Sequence, residues 1–177
     1  MTNGNRFYQK NIRWKGYDYS LQNAYCITIC TYQKQLWFGK IINNEMVLNQ
    51  FGMIAEQEWL KIPNHRPYVI LYEYVVMPNH FHGIFEIKRE TSDNICFKPK
   101  EVTGNHMKDI SPRPESVSTI IGSYKSAVTR EINKISTGFA WQTRFYDRVI
   151  RNHEEYTRLG EYIMANPENW EKDEHYM

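Results

Sequence analysis

The stretch LYEYVVMPNHFHGIFEI, residues 71–87, constrains the fold most. Tyr68 to Val76 is rich in β-branched and aromatic residues and reads as a strand. Met77-Pro78-Asn79 breaks it, because proline lacks the ladder donor and asparagine favours turns. His80 to Ile87 forms the next strand. Upstream, residues 24–32 (YCITIC within them) read as a first strand, and Leu36–Ile42 and Glu45–Leu48 flank Asn43-Asn44, a two-residue hairpin turn. Phe51 to Ile62 reads as a helix, with Ile54, Trp59 and Phe51 on its apolar side and Pro63 as its stop. Val117, Ile120, Ile121, Tyr124, Val128, Ile132 and Ile135 recur at helical spacing and predict a long amphipathic helix. Phe145 to Ile150 is a short strand or turn. Asn152 caps a last helix, with Glu155 in capping-box spacing and Pro167 closing it. Strands and helices interleave, but the hairpin favours an antiparallel or mixed sheet. An α+β fold with helices packed on one face fits this order best.

The chain has 177 residues, which suits a single domain spanning 1–177. Residues 88–114 hold Pro99, Pro112 and Pro114 among charged residues and read as a mobile connection. The longest apolar runs are too short to span a bilayer, and the N-terminus has no apolar core of a secretory signal. A cytoplasmic location is therefore expected, and with it free thiols at Cys26, Cys30 and Cys96. Cys26 and Cys30 lie roughly 13 Å apart along one strand, too far to share a metal ion.

Net charge is only +2, but its distribution is uneven. Arg6, Lys10, Arg13 and Lys15 crowd the N-terminal arm, and Lys125, Arg130, Lys134, Arg144, Arg148 and Arg151 mark residues 121–151. Two basic segments can hold a polyanion along one face, although ordinary solvated faces look the same in sequence. The high aromatic content, 15%, raises the question of a stacking platform for bases.

His80 and His82 are two apart on a strand, so both imidazoles project from one face and can chelate a divalent cation. Phe81 points the other way, into the core, and Gly83 leaves room beside the pair for a ligand. A lone His-x-His is more often a pair of surface or cross-strand-bonded histidines. Here the pair opens a strand after a breaker, among apolar and aromatic residues; histidines 65, 106, 153 and 175 lack that setting. In EYTRLGEYIMANPENW, residues 155–170, Tyr162 and Asn166 stand four apart on the flank of a stripe made by Tyr156, Leu159 and Ile163. Asn166 can offer an amide oxygen as a third ligand, and Tyr162 a hydroxyl. The bland alternative packs Tyr162 at the core margin and uses Asn166 to end the helix.

Read together, PNHFHGI and the downstream YIMANP resemble the His-hydrophobic-His (HUH) single-tyrosine transposases, most closely their REP-associated tyrosine branch. The resemblance covers nearly the whole chain, including IRWKGYDYS, AYCITICTYQKQLWFG, SVSTIIGSYKSAVTREIN and WQTRFYDRVIRNHEEYTRLGEYIMANPENW. The segment 88–114 has less counterpart in compact members. The resemblance implies a ferredoxin-like or RRM-like antiparallel sheet and a homodimer. It implies metal-binding His80 and His82, a third ligand at Asn166, a nucleophile at Tyr162, and Mg²⁺ or Mn²⁺ as cofactor. Imidazole suits Mn²⁺ or Zn²⁺ better; Mg²⁺ stands first only through the resemblance. The implied reaction cleaves and rejoins single-stranded DNA near hairpins through a 5′-phosphotyrosine link. Arg13, Lys15, Lys125, Arg130, Arg144, Arg148 and Arg151 are candidate phosphate contacts, and Trp14, Tyr124 and Trp141 candidate stacking rings. A nucleoid-associated location would follow from that activity. Two other readings stay open: a non-catalytic, domesticated nucleic-acid-binding protein of the same fold, and a metal-dependent hydrolase that uses water.

Overall fold

The computed structural model describes residues 17–89 and 114–176. The expectations for Arg13, Trp14, Lys15 and Cys96, and most of the 88–114 connection, lie outside these residues.

Among the described residues six strands and four helices follow in this order: β1 (Asn23–Cys30), β2 (Gly39–Ile42), β3 (Glu45–Leu48), α1 (Gln50–Leu60), α2 (Ile62–His65), β4 (Val69–Val76), β5 (His80–Ile87), α3 (Val117–Asn133), β6 (Tyr146–Ile150) and α4 (His153–Met164). Short 3₁₀ turns occur at Tyr32–Lys34 and Trp170–Lys172. The main sheet has the order β4-β5-β1-β6, and every pair in it is antiparallel. With the β2–β3 hairpin set aside, the chain runs strand, helix, strand, strand, helix, strand around that order, the ferredoxin-like plan. The resemblance implied this ferredoxin-like plan, and the residue pattern an α+β sheet.

The hairpin β2–β3 turns at Asn43 and Asn44, both at positive φ (51° and 64°), the backbone such two-residue turns require. Asn49 caps α1, its side chain accepting from the N–H groups of Phe51 and Gly52 at 2.9 and 3.0 Å. The helix ends before Pro63, as expected, but Pro63 then sits in the first turn of the separate short helix α2, where its missing N–H costs nothing.

Alternation along β5 sorts the two faces of the sheet. Phe81, Phe85 and Ile87 point into the larger core with Tyr25, Ile27 and Ile29 of β1, under α1 and α3. There Trp59, Phe81 and Tyr124 form a triangle of rings with centroids 4.7 to 5.5 Å apart. Full burial of each such ring contributes roughly 1.5–3 kcal/mol. The predicted stripe of α3 is buried at Val117, Ile120, Ile121, Tyr124, Val128 and Ile132. Ile135 differs: it lies past the helix end and is 49% exposed.

His80, His82 and Ile84 face the other way. On that side Ile84, Ile150 and Ile163 make a smaller core with Cys26, Val75, Tyr156 and Leu159. So the helices are shared between two faces, α1 and α3 on one and α4 on the other, where the sequence had pointed to one. The reason is the stripe of α4, which covers the histidine face. Among the described residues no helix is long and apolar enough to cross a membrane.

Candidate metal and nucleophile site

The site starts at the tight link from β4 to β5. Met77 N–H donates to His80 O at 2.8 Å, Phe38 N–H to Pro78 O at 3.0 Å, and Thr31 N–H to Asn79 O at 2.9 Å. These bonds fix the entry of β5 and turn His80 and His82 onto the α4 face. Both imidazoles are buried, at 0% and 1% exposure, with ring centroids 4.5 Å apart.

Each ring is held from behind. His80 Nδ1 lies 2.9 Å from Asn79 Oδ1. Asn79 Nδ2 donates to Lys34 O and His175 O at 3.1 and 2.8 Å, so its oxygen must be the end facing His80. An oxygen can only accept, so His80 carries its proton on Nδ1 and keeps the lone pair on Nε2. His82 Nδ1 sits 2.8 Å from Thr28 Oγ1 on the neighbouring strand, a hydrogen bond in which either group can be the donor. Burial pushes both imidazoles well below their ordinary pKa, with the neighbouring histidines adding to the shift; for His82 the Asp173 carboxylate opposes it. Both rings are therefore neutral near pH 7, the protonation state of a metal ligand.

Helix α4 brings the second half. Asn152 accepts from Glu155 N–H at 2.8 Å, as the capping-box spacing predicted. The returning bond goes to Arg151 N–H, one residue earlier than a capping box would place it. Tyr162 is 40% exposed, and its ring centroid lies 5.6 Å from that of His82. Asn166, at 2% exposure, is not on the helix as expected: α4 ends at Met164, and Asn166 N–H donates to Ile163 O at 3.2 Å in a tightened turn.

A third element arrives from the C-terminal segment. Asp173 Oδ2 accepts from Asn166 Nδ2 at 3.2 Å and from the Tyr162 hydroxyl at 3.4 Å. Ligand atoms of His80, His82 and Asp173 all lie within 4.8 Å of one another. The His175 ring packs 4.6 Å from that of His80, and Lys34 Nζ donates to Glu174 O at 2.7 Å, tying the segment down. His80 Nε2, His82 Nε2 and Asn166 Oδ1 are buried with no hydrogen-bond partner. Three unpartnered buried polar atoms near one carboxylate are costly unless something satisfies them, and a cation can do so when both Nε2 atoms carry lone pairs. Imidazole nitrogen, amide oxygen and carboxylate are donors that fit Mg²⁺ or Mn²⁺, with the imidazoles favouring Mn²⁺.

Alternative nucleophiles fare worse. Burial pushes the Cys26 and Cys30 thiols each up to about 12. The Tyr156 hydroxyl donates to Glu73 at 2.8–2.9 Å, and burial and that carboxylate push it up to about 12 as well.

Several expectations are corrected. Gly83 does not make room for a ligand; it faces the larger core, where an added Cβ would come within 2.8 Å of the Phe81 and Trp59 rings. Tyr124 and Trp141 are 2% and 9% exposed, so neither ring offers a face to a base. Arg148 shares the histidine face of β6 with Tyr146 and pairs with Glu155. Arg144 and Arg151 are exposed close to that strand. Lys125 and Arg130 ride on α3, behind the sheet. The Lys125 ammonium donates to the carbonyls of Gln142 and Thr143 at 2.6 and 3.3 Å, and Arg130 pairs with Glu131.

Sequence reading missed Thr28, Asn79 as the partner of His80, Asp173 and His175. The alternation of AYCITIC against HFHGIFEI already sets Thr28 opposite His82 once the strands pair. Asp173 and His175 carried no signal beyond being a carboxylate and an imidazole in an acidic tail.

No family model matches the chain. An uncharacterised protein of Haemophilus influenzae (strain ATCC 51907 / DSM 11121 / KW20 / Rd) is 36% identical over 171 residues, which cover 96% of this chain and 94% of the relative. Among solved structures, that of a REP-associated tyrosine transposase bound to a REP hairpin aligns with a TM-score of 0.54 at 19% identity. It covers 84% of this chain and 68% of the other.

Proposed function

We propose, from the premise that this chain belongs to one family with the Haemophilus influenzae protein and has the fold of a REP-associated tyrosine transposase, that it is a transposase acting on single-stranded DNA near hairpins. The observation that carries this reading is the set of unpartnered buried atoms, His80 Nε2, His82 Nε2 and Asn166 Oδ1, with the Tyr162 phenol beside them.

His80, His82 and Asn166 would hold a divalent cation, Mg²⁺ or Mn²⁺. When bound, it supplies charge that polarises a phosphodiester and stabilises the oxygens that gain negative charge in the transition state. Tyr162 is exposed enough to meet a strand from solvent and close enough to the imidazoles to share a phosphate with that ion. Its oxygen attacks phosphorus; the new P–O bond forms as the bond to the 3′ oxygen breaks. The phenol gives up its proton and the leaving 3′ oxygen gains one. The products are a 5′-phosphotyrosine and a 3′-hydroxyl. The ester keeps the free energy of the broken bond, so a 3′-hydroxyl can later rejoin it, which a hydrolase using water cannot do. Arg148, Arg144 and Arg151 lie on or beside the strand that borders this face and are candidates to contact phosphates. A homodimer is part of this reading.

The test is a labelled single-stranded DNA hairpin with Mn²⁺, resolved on a denaturing gel. The full chain forms a covalent protein–DNA adduct and Tyr162→Phe does not, while hairpin binding is unchanged. Cleavage without an adduct points instead to a hydrolase, and binding without cleavage to a non-catalytic DNA-binding protein.

A further inference from the structure

Asn166 shows the two ends of its carboxamide to different surroundings. Oδ1 is buried and unpartnered, while Nδ2 donates to Asp173 Oδ2 at 3.2 Å. The two ends have nearly the same shape and opposite hydrogen-bonding character, so packing alone does not choose between them. Asp173 does. A carboxylate only accepts, so it takes the NH₂ end and leaves the oxygen free. The carboxylate is itself fixed from behind, because Asp173 Oδ1 accepts from the His175 N–H at 2.6 Å.

We propose that Asp173 is a positioning residue that selects which end of Asn166 is offered to a cation held by His80 and His82. This rests on the ion site proposed above. Without the carboxylate the amide is free to turn over and present N–H donors, which repel a cation. Asparagine at 173 makes the same error in another way. The His175 N–H draws its carbonyl, its own NH₂ then faces Asn166, and the Asn166 oxygen turns toward that NH₂ and away from the ion. The proximity of Asp173 to both imidazoles allows a rival role, direct ligation of the cation. The two roles differ in one respect: a positioning residue acts only through Asn166.

Mn²⁺ affinity of the full chain, measured by titration calorimetry, separates them in a double-mutant cycle. Asp173→Ala, Asp173→Asn and Asn166→Ala each weaken Mn²⁺ binding roughly 10–100-fold, the usual cost of losing a ligand's support. Adding Asp173→Ala to Asn166→Ala costs nothing more. Thermal melts of each variant check the fold, and the near-isosteric Asp173→Asn keeps the test readable if the alanine variant melts. A further loss of the same size in the Asn166→Ala background makes Asp173 a ligand in its own right and overturns the proposal. So does wild-type affinity in Asp173→Asn. If the unaltered chain binds Mn²⁺ no better than His82→Ala does, the ion site itself fails and this inference falls with it.

Discussion

Asn79 Oδ1 stands 2.9 Å from His80 Nδ1, while the other end of the same amide is committed to the carbonyls of Lys34 and His175. One buried side chain thus joins the β4–β5 link, the 3₁₀ turn after β1 and the C-terminal segment, and sets the tautomer of His80, a proposed ligand, as it does so. Asn79→Ala removes the oxygen that His80 Nδ1 faces and the amide that donates to two carbonyls. We expect a stability loss of about 2–4 kcal/mol in urea unfolding, since each buried group left unpaired costs about 1–3 kcal/mol. Mn²⁺ affinity should also fall roughly tenfold or more. Thr28→Val, which removes a single hydroxyl behind His82, should cost less stability.

Gly83 separates the two faces of β5 cleanly. Its missing side chain is filled from the core side by the Trp59 and Phe81 rings, each 2.8 Å from the position of an added Cβ. Gly83→Ala forces both buried rings to move, and overpacking of this kind costs typically about 1–3 kcal/mol. The urea midpoint should drop by that amount, while Mn²⁺ affinity stays within about threefold because His80 and His82 lie on the opposite side. A large loss of Mn²⁺ binding at unchanged stability would contradict this division of the strand.

Much of this was legible in the sequence because period and punctuation carried it. The breaker at Pro78, the turn at Asn43-Asn44, the cap at Asn152 and the stripe of α3 are local signals, and local hydrogen bonding realises each of them. The orientation of His80 and His82 followed from alternation alone. What stayed hidden depends on contacts between distant segments. Nothing local says that Gly83 backs onto Trp59, that Trp141 is a core ring, or that Asp173 and His175 fold back over the histidines. A second helical face was hidden for the same reason: the stripe of α4 is visible in sequence, but the layer it covers is set by how β6 pairs with β1.

The buried imidazoles give the metal-free protein a definite pH dependence. Burial lowers both pKa values below the ordinary 6.5, so the fold keeps the rings neutral where the unfolded chain protonates them. A depressed folded-state pKa gives stability that is intact above about 6.5 and is lost as pH falls through the window below it, until the folded-state values are reached. Each ring contributes up to about 1.4 kcal/mol per pH unit in that window. In the presence of a chelator, urea unfolding should show the wild type losing stability relative to His82→Gln on going from pH 7 to pH 5. A gap that stays constant, or widens in favour of the wild type, would mean that His82 is not held neutral by the fold.

Tyr162 and His82 belong to the same chain, with ring centroids 5.6 Å apart, so the proposed nucleophile and the proposed ligands meet within one protomer. This arrangement has a kinetic signature even if the protein dimerises. His82→Ala retains the phenol but damages the ion site; Tyr162→Phe retains the ion site but lacks the nucleophile. When a site is built within one protomer, mixing the two variants leaves every site defective, and no DNA adduct appears above the level of either variant alone. If the tyrosine crossed between protomers, mixed dimers would hold one complete site in each pair and recover a substantial fraction of wild-type adduct. Mixing, allowing subunits to exchange, and counting adducts on a denaturing gel distinguishes the two. We expect no recovery, because α4 is already seated on its own sheet through Ile163 and Leu159 against Ile84 and Ile150.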